Sequence, residues 1–140
     1  MRIVADTNTV VSGLLWQGPP RSLIDACREQ KLTLVTSPEL LAELAEVLAR
    51  DKFSARILRA GLSAKSLVED YAEIVHVIVP KALPAPVSRD PDDDHVLACA
   101  IAAGVDAIVS GDADLLILET FHRIPIFSAK QVVGKLQSES

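Results

Sequence analysis

The sequence predicts a three-layer α/β/α fold, in which helices cover both faces of a five-stranded parallel sheet. Short apolar runs alternate along the chain with longer segments whose apolar residues recur at helical spacing, which is the order of βαβ units. Hydrophobic residues make up 49% of the sequence, a share that suits a buried sheet covered by helices. A length of 140 residues is typical of one domain, so we expect residues 1–140 to form a single domain.

Five short apolar runs predict the strands. The first, Arg2–Ala5, ends at Asp6, where a loop begins. The other predicted strands are Thr33–Thr36, Ile74–Val79, Ala107–Ser110 and Ile124–Phe127. A helical pattern lies between consecutive strands, and such crossover connections join parallel strands. Pro125 has no backbone N–H to donate to a neighbour, so we expect the last strand to lie at an edge of the sheet.

Helices are predicted where apolar residues recur at every third or fourth position between these strands. The predicted helices are Val10–Trp16, Arg21–Gln30, Pro38–Arg50, Ala55–Ala60, Ser63–Ala72, Asp93–Ala103, Asp112–Leu118 and Ser128–Leu136. Ser37 and Pro38 form a typical helix start, a hydroxyl cap followed by a proline whose missing N–H would be unpaired there. Gly104 is suited to end a helix in the left-handed conformation. Three prolines between Pro80 and Pro86 predict a loop.

Composition and charge argue against several classes of protein. No apolar run reaches the roughly 18–20 residues that cross a bilayer, and no signal-like segment opens the chain, so we expect a soluble, cytoplasmic protein. Cys27 and Cys99 lack CxxC spacing and lie among apolar residues, which favours buried, reduced thiols over a disulfide or a zinc site. The net charge of -5 argues against a protein that coats nucleic acid through a general positive field.

One segment departs from this acidic balance. Between positions 50 and 65, Asp51 is outnumbered by five basic residues, which are Arg50, Lys52, Arg56, Arg59 and Lys65. Such a local cluster of cations can contact phosphate groups, and the alternative is a solvated helix face. Any nucleic-acid role must therefore rest on local charge or on bound cations.

Carboxylates follow two of the predicted strands directly. Asp6 follows the first strand, and Asp112 and Asp114 follow the fourth. Open α/β sheets bind ligands at the carboxyl ends of their strands, so these acids would meet if the two strands are neighbours. The alternative is structural, with Asp6 as a turn or cap residue and Asp112 as the cap of the next helix.

Further candidate acids lie on helices. Glu43 borders the apolar stripe of its helix, although a solvated glutamate in a surface ion pair is an equal alternative. The stretch SRDPDDDHVLACA, residues 88–100, places four acids ahead of an apolar helix, which are Asp90, Asp92, Asp93 and Asp94. Angular position puts Asp93 or Asp94 nearest the apolar face. The periodicity does not choose between these two, because helix ends depart from ideal geometry.

Carboxylates gathered at one rim repel one another, and a divalent cation would relieve that repulsion. Oxygen ligands without histidine or cysteine favour the hard ions Mg²⁺ and Mn²⁺, and Mg²⁺ commonly binds together with substrate phosphates. One or two such ions can activate a water molecule and stabilise the leaving oxygen in phosphodiester hydrolysis. The acids are therefore candidates for a metal-dependent centre that hydrolyses phosphodiesters.

Four features occur in the order found in PIN-domain ribonucleases. They are the strand and aspartate of Ile3–Asn8, Glu43 on the helix after the second strand, the segment Asp94–Ala100 and the acidic loop Val109–Leu115. The sequence resembles this family along nearly its whole length. The resemblance implies the sheet order 3-2-1-4-5, which makes strands one and four neighbours. It also favours Asp94 as the ligand from the acidic stretch, with Asp93 as the close rival.

The resemblance implies a metal-dependent endoribonuclease that uses Mg²⁺ or Mn²⁺ to activate water against an RNA phosphate. The implied catalytic residues and metal ligands are Asp6, Glu43, Asp94 and Asp112, with Asp114 as an alternative ligand. The residues expected to orient these carboxylates or water are Thr7, Asn8, Asp93 and Ser110. The residues expected to contact the RNA backbone are Arg50, Lys52, Arg56 and Arg59.

The compact, single-domain members of this family are often VapC-like toxins of toxin–antitoxin pairs. By resemblance we therefore expect a homodimer that a small antitoxin protein silences. Two alternatives are an inert PIN-like module that acts through protein partners and a phosphotransfer enzyme of the haloacid-dehalogenase type. The latter needs a second aspartate two residues after the first, where this chain has Asn8.

The remaining conspicuous residues fit ordinary structural positions. His76, His95 and His122 lack the spacing of metal ligands, so we expect no catalytic role for them. Trp16 is expected in the core or in a dimer contact rather than as a platform on which RNA bases stack.

Overall fold

The computed structural model describes residues 1–81 and 91–139. The strands are β1 (Arg2–Ala5), β2 (Thr33–Thr36), β3 (His76–Val77), β4 (Ala107–Val109), β5 (Thr120–Phe121) and β6 (Ile124–Phe127). The helices are α1 (Thr7–Leu15), α2 (Pro19–Arg28), α3 (Pro38–Leu48), α4 (Asp51–Arg59), α5 (Ala64–Ile74), α6 (Pro91–Ala103), α7 (Ala113–Leu116) and α8 (Ala129–Glu139). Most of the predicted loop Pro80–Pro86, Asp90 and the side chain of Asp92 lie outside the described residues.

Five strands form a parallel sheet in the order β3-β2-β1-β4-β6. This is the order that the resemblance implied. It makes β1 and β4 neighbours, with Val4 paired to Ile108 and Ala5 to Val109. The chain moves outward from β1 through β2 to β3 and then returns to β4 on the other side of β1. The strand order therefore reverses between β1 and β4, where α/β sheets open a crevice for ligands.

The prediction of a purely parallel, five-stranded sheet is wrong, because a sixth strand, β5, pairs antiparallel with β6. His122 and Arg123 join the two strands with φ of 49° and 67°. Positive φ at both central residues is the geometry of the tightest hairpins, which glycine or asparagine usually signals. This turn has neither residue. β6 thus has neighbours on both sides, and the predicted edge position of Pro125 is wrong as well.

β3 is shorter than the predicted strand Ile74–Val79. Ile74 ends α5 and packs partly buried against the core, three residues after the buried Tyr71 on the same helix. Ile74, the first residue of the predicted strand, therefore belongs to the apolar face of α5. Only His76 and Val77 pair with β2, and both side chains are exposed.

Both faces of the sheet are buried, as the predicted three layers require. Alternate strand residues enter opposite clusters: Ile3 and Leu34 pack on one face, and Val4 and Val35 on the other. Helices α1, α2, α3, α4, α5 and α8 contribute to the first cluster, and α6 and α7, with Leu40 of α3, contribute to the second. Because both faces are occupied by apolar packing, the carboxyl edge of the sheet is left for polar side chains.

Close packing of α1 on α2 depends on Gly13. A Cβ atom at this position would lie 2.6 Å from Ile24 Cδ1 and 2.8 Å from the Pro20 carbonyl oxygen. The flexible end of Ile24 can move, but the Pro20 backbone cannot do so without separating the helices. Gly13 thereby brings the start of α2 close to α1, next to the carboxyl edge.

Both cysteines are buried free thiols, as predicted. Burial raises the pKa of Cys99 to about 12 and also raises the pKa of Cys27, whose Sγ donates a hydrogen bond to the Ile74 carbonyl. Neutral thiols of this kind react slowly with alkylating reagents.

Among the helices of the described residues, none is long and apolar enough to cross a membrane.

Candidate active site

A small cavity of about 30 Å³ lies at the carboxyl ends of β1 and β4, where the strand order reverses. Its lining residues are Asp6, Thr7, Asn8, Glu43, Asp93, Val96 and Asp112. We call it the acid cavity, since four of these side chains are carboxylates. A site of roughly 10–15 Å³ holds one water molecule, so the acid cavity has room for one or two small ligands.

Asp6 is held by two hydrogen bonds at the end of β1. It follows β1 and caps α1, where its Oδ1 accepts a hydrogen bond of 2.9 Å from the Thr9 N–H. Its Oδ2 accepts a hydrogen bond of 2.6 Å from the Ser110 hydroxyl. The side chain is buried, so these two donors replace the water it has lost. Asp6 is thus a helix cap and also presents its carboxylate to the cavity.

Ser110 connects the ends of β1 and β4. Its hydroxyl donates to Asp6 and accepts a hydrogen bond of 2.9 Å from the backbone N–H of Asp112. Asp112 in turn caps the short helix α7, since its Oδ1 accepts a hydrogen bond of 2.7 Å from the Asp114 N–H. One continuous chain of hydrogen bonds therefore sets the separation of the Asp6 and Asp112 side chains.

The acidic stretch contributes Asp93 to the cavity. Asp93 is buried with 6% of its surface exposed, whereas Asp94 is half-buried and does not line the cavity. Val96, three residues after Asp93 on the same face of α6, also lines it. One step along a helix turns a side chain by about 100°, so the two neighbours cannot face the same point. The structure thus places Asp93 where the resemblance favoured Asp94, and the ligand role of either residue stays a prediction.

The other predicted site residues divide between the cavity and the surface. Glu43 is half-buried on α3 and lines the cavity, as does Asp112, whereas Asp114 is exposed and lies off it. Asn8 is exposed at the mouth. The hydroxyl of Thr7 is buried and makes no hydrogen bond with any described residue. A buried hydroxyl in this position suits a water or ligand inside the cavity.

Sequence reasoning did not single out Thr9 or Val96. Thr9 acts through its backbone N–H, and the spacing of Asp6 three residues before it is the usual helix-capping distance. That spacing could have revealed the contact. The position of Val96 depends on where α6 begins, which the sequence leaves open by a residue or two.

The basic segment lies away from the acid cavity, and none of its residues lines it. Lys52, Arg56 and Arg59 are exposed on α4 and make no ion pair with a described carboxylate, whereas Arg50 lies 3.8 Å from Glu46. The guanidinium of Arg56 lies 4.9 Å from the ring centre of Trp16 and donates a hydrogen bond to the Leu15 carbonyl.

Trp16 and Phe53 form the apolar part of this region, with ring centres 5.9 Å apart in an edge-to-face arrangement. Lys52 lies 5.0 Å from the centre of the Phe53 ring. Trp16 is 41% exposed, so the prediction that it could be a core residue is wrong. We call Trp16, Lys52, Phe53, Arg56 and Arg59 the basic surface.

The donor chemistry of the acid cavity fits Mg²⁺ or Mn²⁺. Its ligands would be carboxylate oxygens, which hard cations prefer, and no histidine is among the described residues that line it. The carboxylates are not gathered into a closed set, since no three His, Cys, Asp or Glu side chains of residues 1–81 and 91–139 form a ready metal-binding group. An ion bound here would take only part of its ligands from the protein and the rest from water or substrate, as Mg²⁺ usually does.

Comparison with known families agrees with this geometry. A family model described as "PIN domain" matches residues 2–114, which include all the residues that line the acid cavity. The remaining elements β5, β6 and α8 pack onto the same sheet and core. No curated protein matches the chain.

Proposed function

The chain belongs to the PIN domain family, a fold of nucleases, and from this premise we propose that it is a metal-dependent endoribonuclease. The observation that carries the proposal is the acid cavity, which Asp6, Glu43, Asp93 and Asp112 line at the switch point of the sheet. Burying carboxylates costs free energy unless hydrogen bonds or cations compensate it.

Asp6, Glu43, Asp93 and Asp112 would hold one or two Mg²⁺ or Mn²⁺ ions. When bound, such an ion supplies an activated water and neutralises charge on a phosphate. In the hydrolysis, the water oxygen bonds to phosphorus, the bond to one ribose oxygen breaks, and that oxygen takes up a proton. Asp93 replaces Asp94 in this set because it is the one on the cavity.

Ser110 and the Thr9 N–H position the Asp6 carboxylate for this task. Because the two donors contact different oxygens of Asp6, its plane is fixed before substrate arrives. Each oxygen keeps a further lone pair for a cation or water. Preorganised ligands of this kind avoid the free-energy cost of reordering during the reaction.

The basic surface would bind the RNA backbone outside the acid cavity. Lys52, Arg56 and Arg59 are exposed cations without a described carboxylate partner, so phosphates would not have to displace one. The exposed ring of Trp16 adds an apolar face beside them. Phosphate contacts contribute affinity, and we expect them to be sensitive to salt.

The experiment is cleavage of single-stranded RNA by the purified chain, with Mg²⁺, with Mn²⁺ and with EDTA. We expect cleavage that EDTA abolishes and that either added ion restores, with products that carry no cyclic phosphate because water is the nucleophile. Cleavage that persists in EDTA, or products ending in a 2′,3′-cyclic phosphate, would contradict the proposal. Asp70→Asn, an exposed change on α5, serves as the control variant.

We extend the proposal to a toxin of a toxin–antitoxin pair, acting as a homodimer that a small antitoxin silences in the cytoplasm. Its support is the resemblance in size and motif order to compact members of the family. Expression of the chain in bacteria should arrest growth, and Asp6→Asn should abolish the arrest. Growth arrest by Asp6→Asn at equal protein level would contradict a toxin role that depends on catalysis.

A second candidate is an inert PIN domain that acts by binding a protein. It is favoured by the lack, among the described residues, of three acids close enough to form a ready metal-binding group. An ion that binds only the folded state raises its stability. A melting temperature unchanged by millimolar Mn²⁺, together with no RNA cleavage, would support this candidate over the nuclease.

A further inference from the structure

A second cavity of about 260 Å³ adjoins the acid cavity along the carboxyl edge of the sheet. The two share Asn8 and Asp112. The second cavity extends toward α8, the helix that follows β6, so it lies beyond the ends of β1, β4 and β6. By the measure in which one water molecule needs roughly 10–15 Å³, this space admits a sugar ring.

The polar lining of this cavity is mostly neutral. The polar side chains that line it are Asn8, Thr9, Ser12, Ser110, Asp112 and Ser128. No lysine or arginine is among the described residues around it, so its chemistry does not suit a phosphate. Hydroxyl and amide groups both donate and accept hydrogen bonds, as a sugar hydroxyl does. We call this space the hydroxyl groove.

Two of its hydroxyls have capacity for a ligand. Ser12 is half-buried, lies one helical turn after Asn8 on the same face of α1, and its side chain makes no hydrogen bond with any described residue. Ser128 Oγ accepts a hydrogen bond of 3.2 Å from the Gln131 N–H, which leaves its own proton to donate. Ser110, by contrast, already donates to Asp6 and accepts from Asp112.

We propose that the hydroxyl groove binds the ribose of the nucleotide beside the scissile phosphate through its 2′-hydroxyl, with Ser12 and Ser128 as the residues that select RNA over DNA. The inference rests on the proposed nuclease function, because the acid cavity fixes where the phosphate lies. A phosphate there places one of its two flanking sugars at the shared residues Asn8 and Asp112. The 2′-hydroxyl is the group by which a protein distinguishes RNA from DNA.

The test is a series of single-stranded RNA oligonucleotides of one sequence, each with one 2′-deoxy nucleotide. We expect one position beside the cleaved bond to lower kcat/KM by roughly threefold to tenfold, the loss of one hydrogen bond, while other positions change it little. The 2′-hydroxyl is not the nucleophile in water-dependent hydrolysis. Its removal therefore reports binding in the groove rather than the absence of a reactant.

Substitutions of Ser12 and Ser128 test whether the loss of kcat/KM with a 2′-deoxy nucleotide arises in the hydroxyl groove. Ser12→Ala should lower kcat/KM for the all-ribose oligonucleotide and bring the ratio between ribose and deoxy substrates toward one. Ser128→Ala should act in the same direction, and Ser128→Thr, which keeps a hydroxyl to cap α8, should restore the ratio. Ser138→Ala, at the opposite end of α8, should leave the ratio as in the wild type.

The outcomes separate the two proposals. If the all-ribose oligonucleotide is not cleaved, the proposed nuclease function fails and this inference fails with it. If it is cleaved but every deoxy position behaves alike, only the groove is refuted. A deoxy effect that survives unchanged in both Ser12→Ala and Ser128→Ala would also overturn the assignment, whereas a reduced ratio in either variant supports it.

Discussion

The acid cavity and the basic surface carry opposite charges, and the fold treats them in opposite ways. The acids Asp6 and Asp93 are buried, and the Thr9 N–H of α1 and the Ser110 hydroxyl after β4 fix Asp6. Lys52 and Arg59 are exposed on a helix that buries only Ile57 among its nine residues. Buried charge costs several kcal/mol unless it is compensated, whereas exposed charge costs almost nothing.

This difference in burial predicts that the acids contribute to the chemical step and the cations to RNA affinity. A carboxylate that is fixed before substrate arrives can act on the transition state, so its loss should lower kcat. A mobile, solvated cation binds a phosphate in the ground state and the transition state alike, so its loss should raise KM. Substitutions in the two regions should therefore change different kinetic constants, and those in the acid cavity should change them more.

Asp6→Asn should have the largest effect. The amide keeps the size of the side chain and can still accept from the Thr9 N–H, but it removes the negative charge from the cavity. We expect kcat to fall by more than about 100-fold with little change in KM. Steady-state kinetics measures both, with Asp70→Asn as the exposed control. A change confined to KM would show instead that Asp6 contributes to RNA binding, as the basic residues are expected to do, and not to the chemical step.

Asp93→Asn and Asp94→Asn form a matched pair one residue apart. We expect Asp93→Asn to lower kcat by about 100-fold and Asp94→Asn to change it by less than about fivefold, because only Asp93 lines the cavity. Single-turnover rates of RNA cleavage compare the two. The reverse order would show that the resemblance, with its preference for Asp94, describes the site better than the cavity geometry does.

Ser110→Ala removes the donor to Asp6 without removing an acid. We expect kcat to fall by about 10–100-fold, the usual effect of losing a residue that orients a ligand. The free energy of unfolding should fall by about 1–3 kcal/mol, since a buried carboxylate loses a partner. Denaturant titration measures the stability, with Ser138→Ala as control. Full activity in Ser110→Ala would mean that the Thr9 N–H orients Asp6 by itself.

Lys52→Ala and Arg59→Ala should have the smallest effects, and these should appear in KM. We expect KM to rise a few-fold for each while kcat is unchanged. The slope of log affinity against log salt should become shallower by about 0.7 for each phosphate of single-stranded RNA that a variant no longer neutralises. RNA binding titrations at several salt concentrations measure the slope. Arg28→Ala, an exposed change on α2, is the control. An equal slope in all variants would show that the RNA does not contact the basic surface.

Sequence reasoning succeeded where a local rule fixes the outcome. The junction of Ala5 and Asp6 combines the end of an apolar run with a capping residue, so it predicted both the strand and an acid at its carboxyl end. Ser37 caps α3 through the Leu40 N–H, as its hydroxyl before a proline predicted.

Sequence reasoning left open or missed features that depend on rotation about a helix or on contacts between distant residues. Asp93 and Asp94 differ by one helical step, and the start of α6 decides which faces the cavity. The β5–β6 hairpin turns on His122 and Arg123, which are unusual at positive φ and carry no turn signal. Trp16 packs at the surface beside Phe53 and Arg56 of α4, and periodicity within one helix does not reveal a contact between such distant segments.

The central claim, that the acid cavity is a divalent cation site built on Asp6 and Asp93, is tested most directly by calorimetric titration of the protein with Mn²⁺. This measurement does not require the RNA substrate to be known. We predict saturable binding at millimolar concentration or below, weakened at least about tenfold in Asp6→Asn and in Asp93→Asn but not in Asp94→Asn. Absence of saturable binding, or equal affinity in all four proteins, would contradict the account.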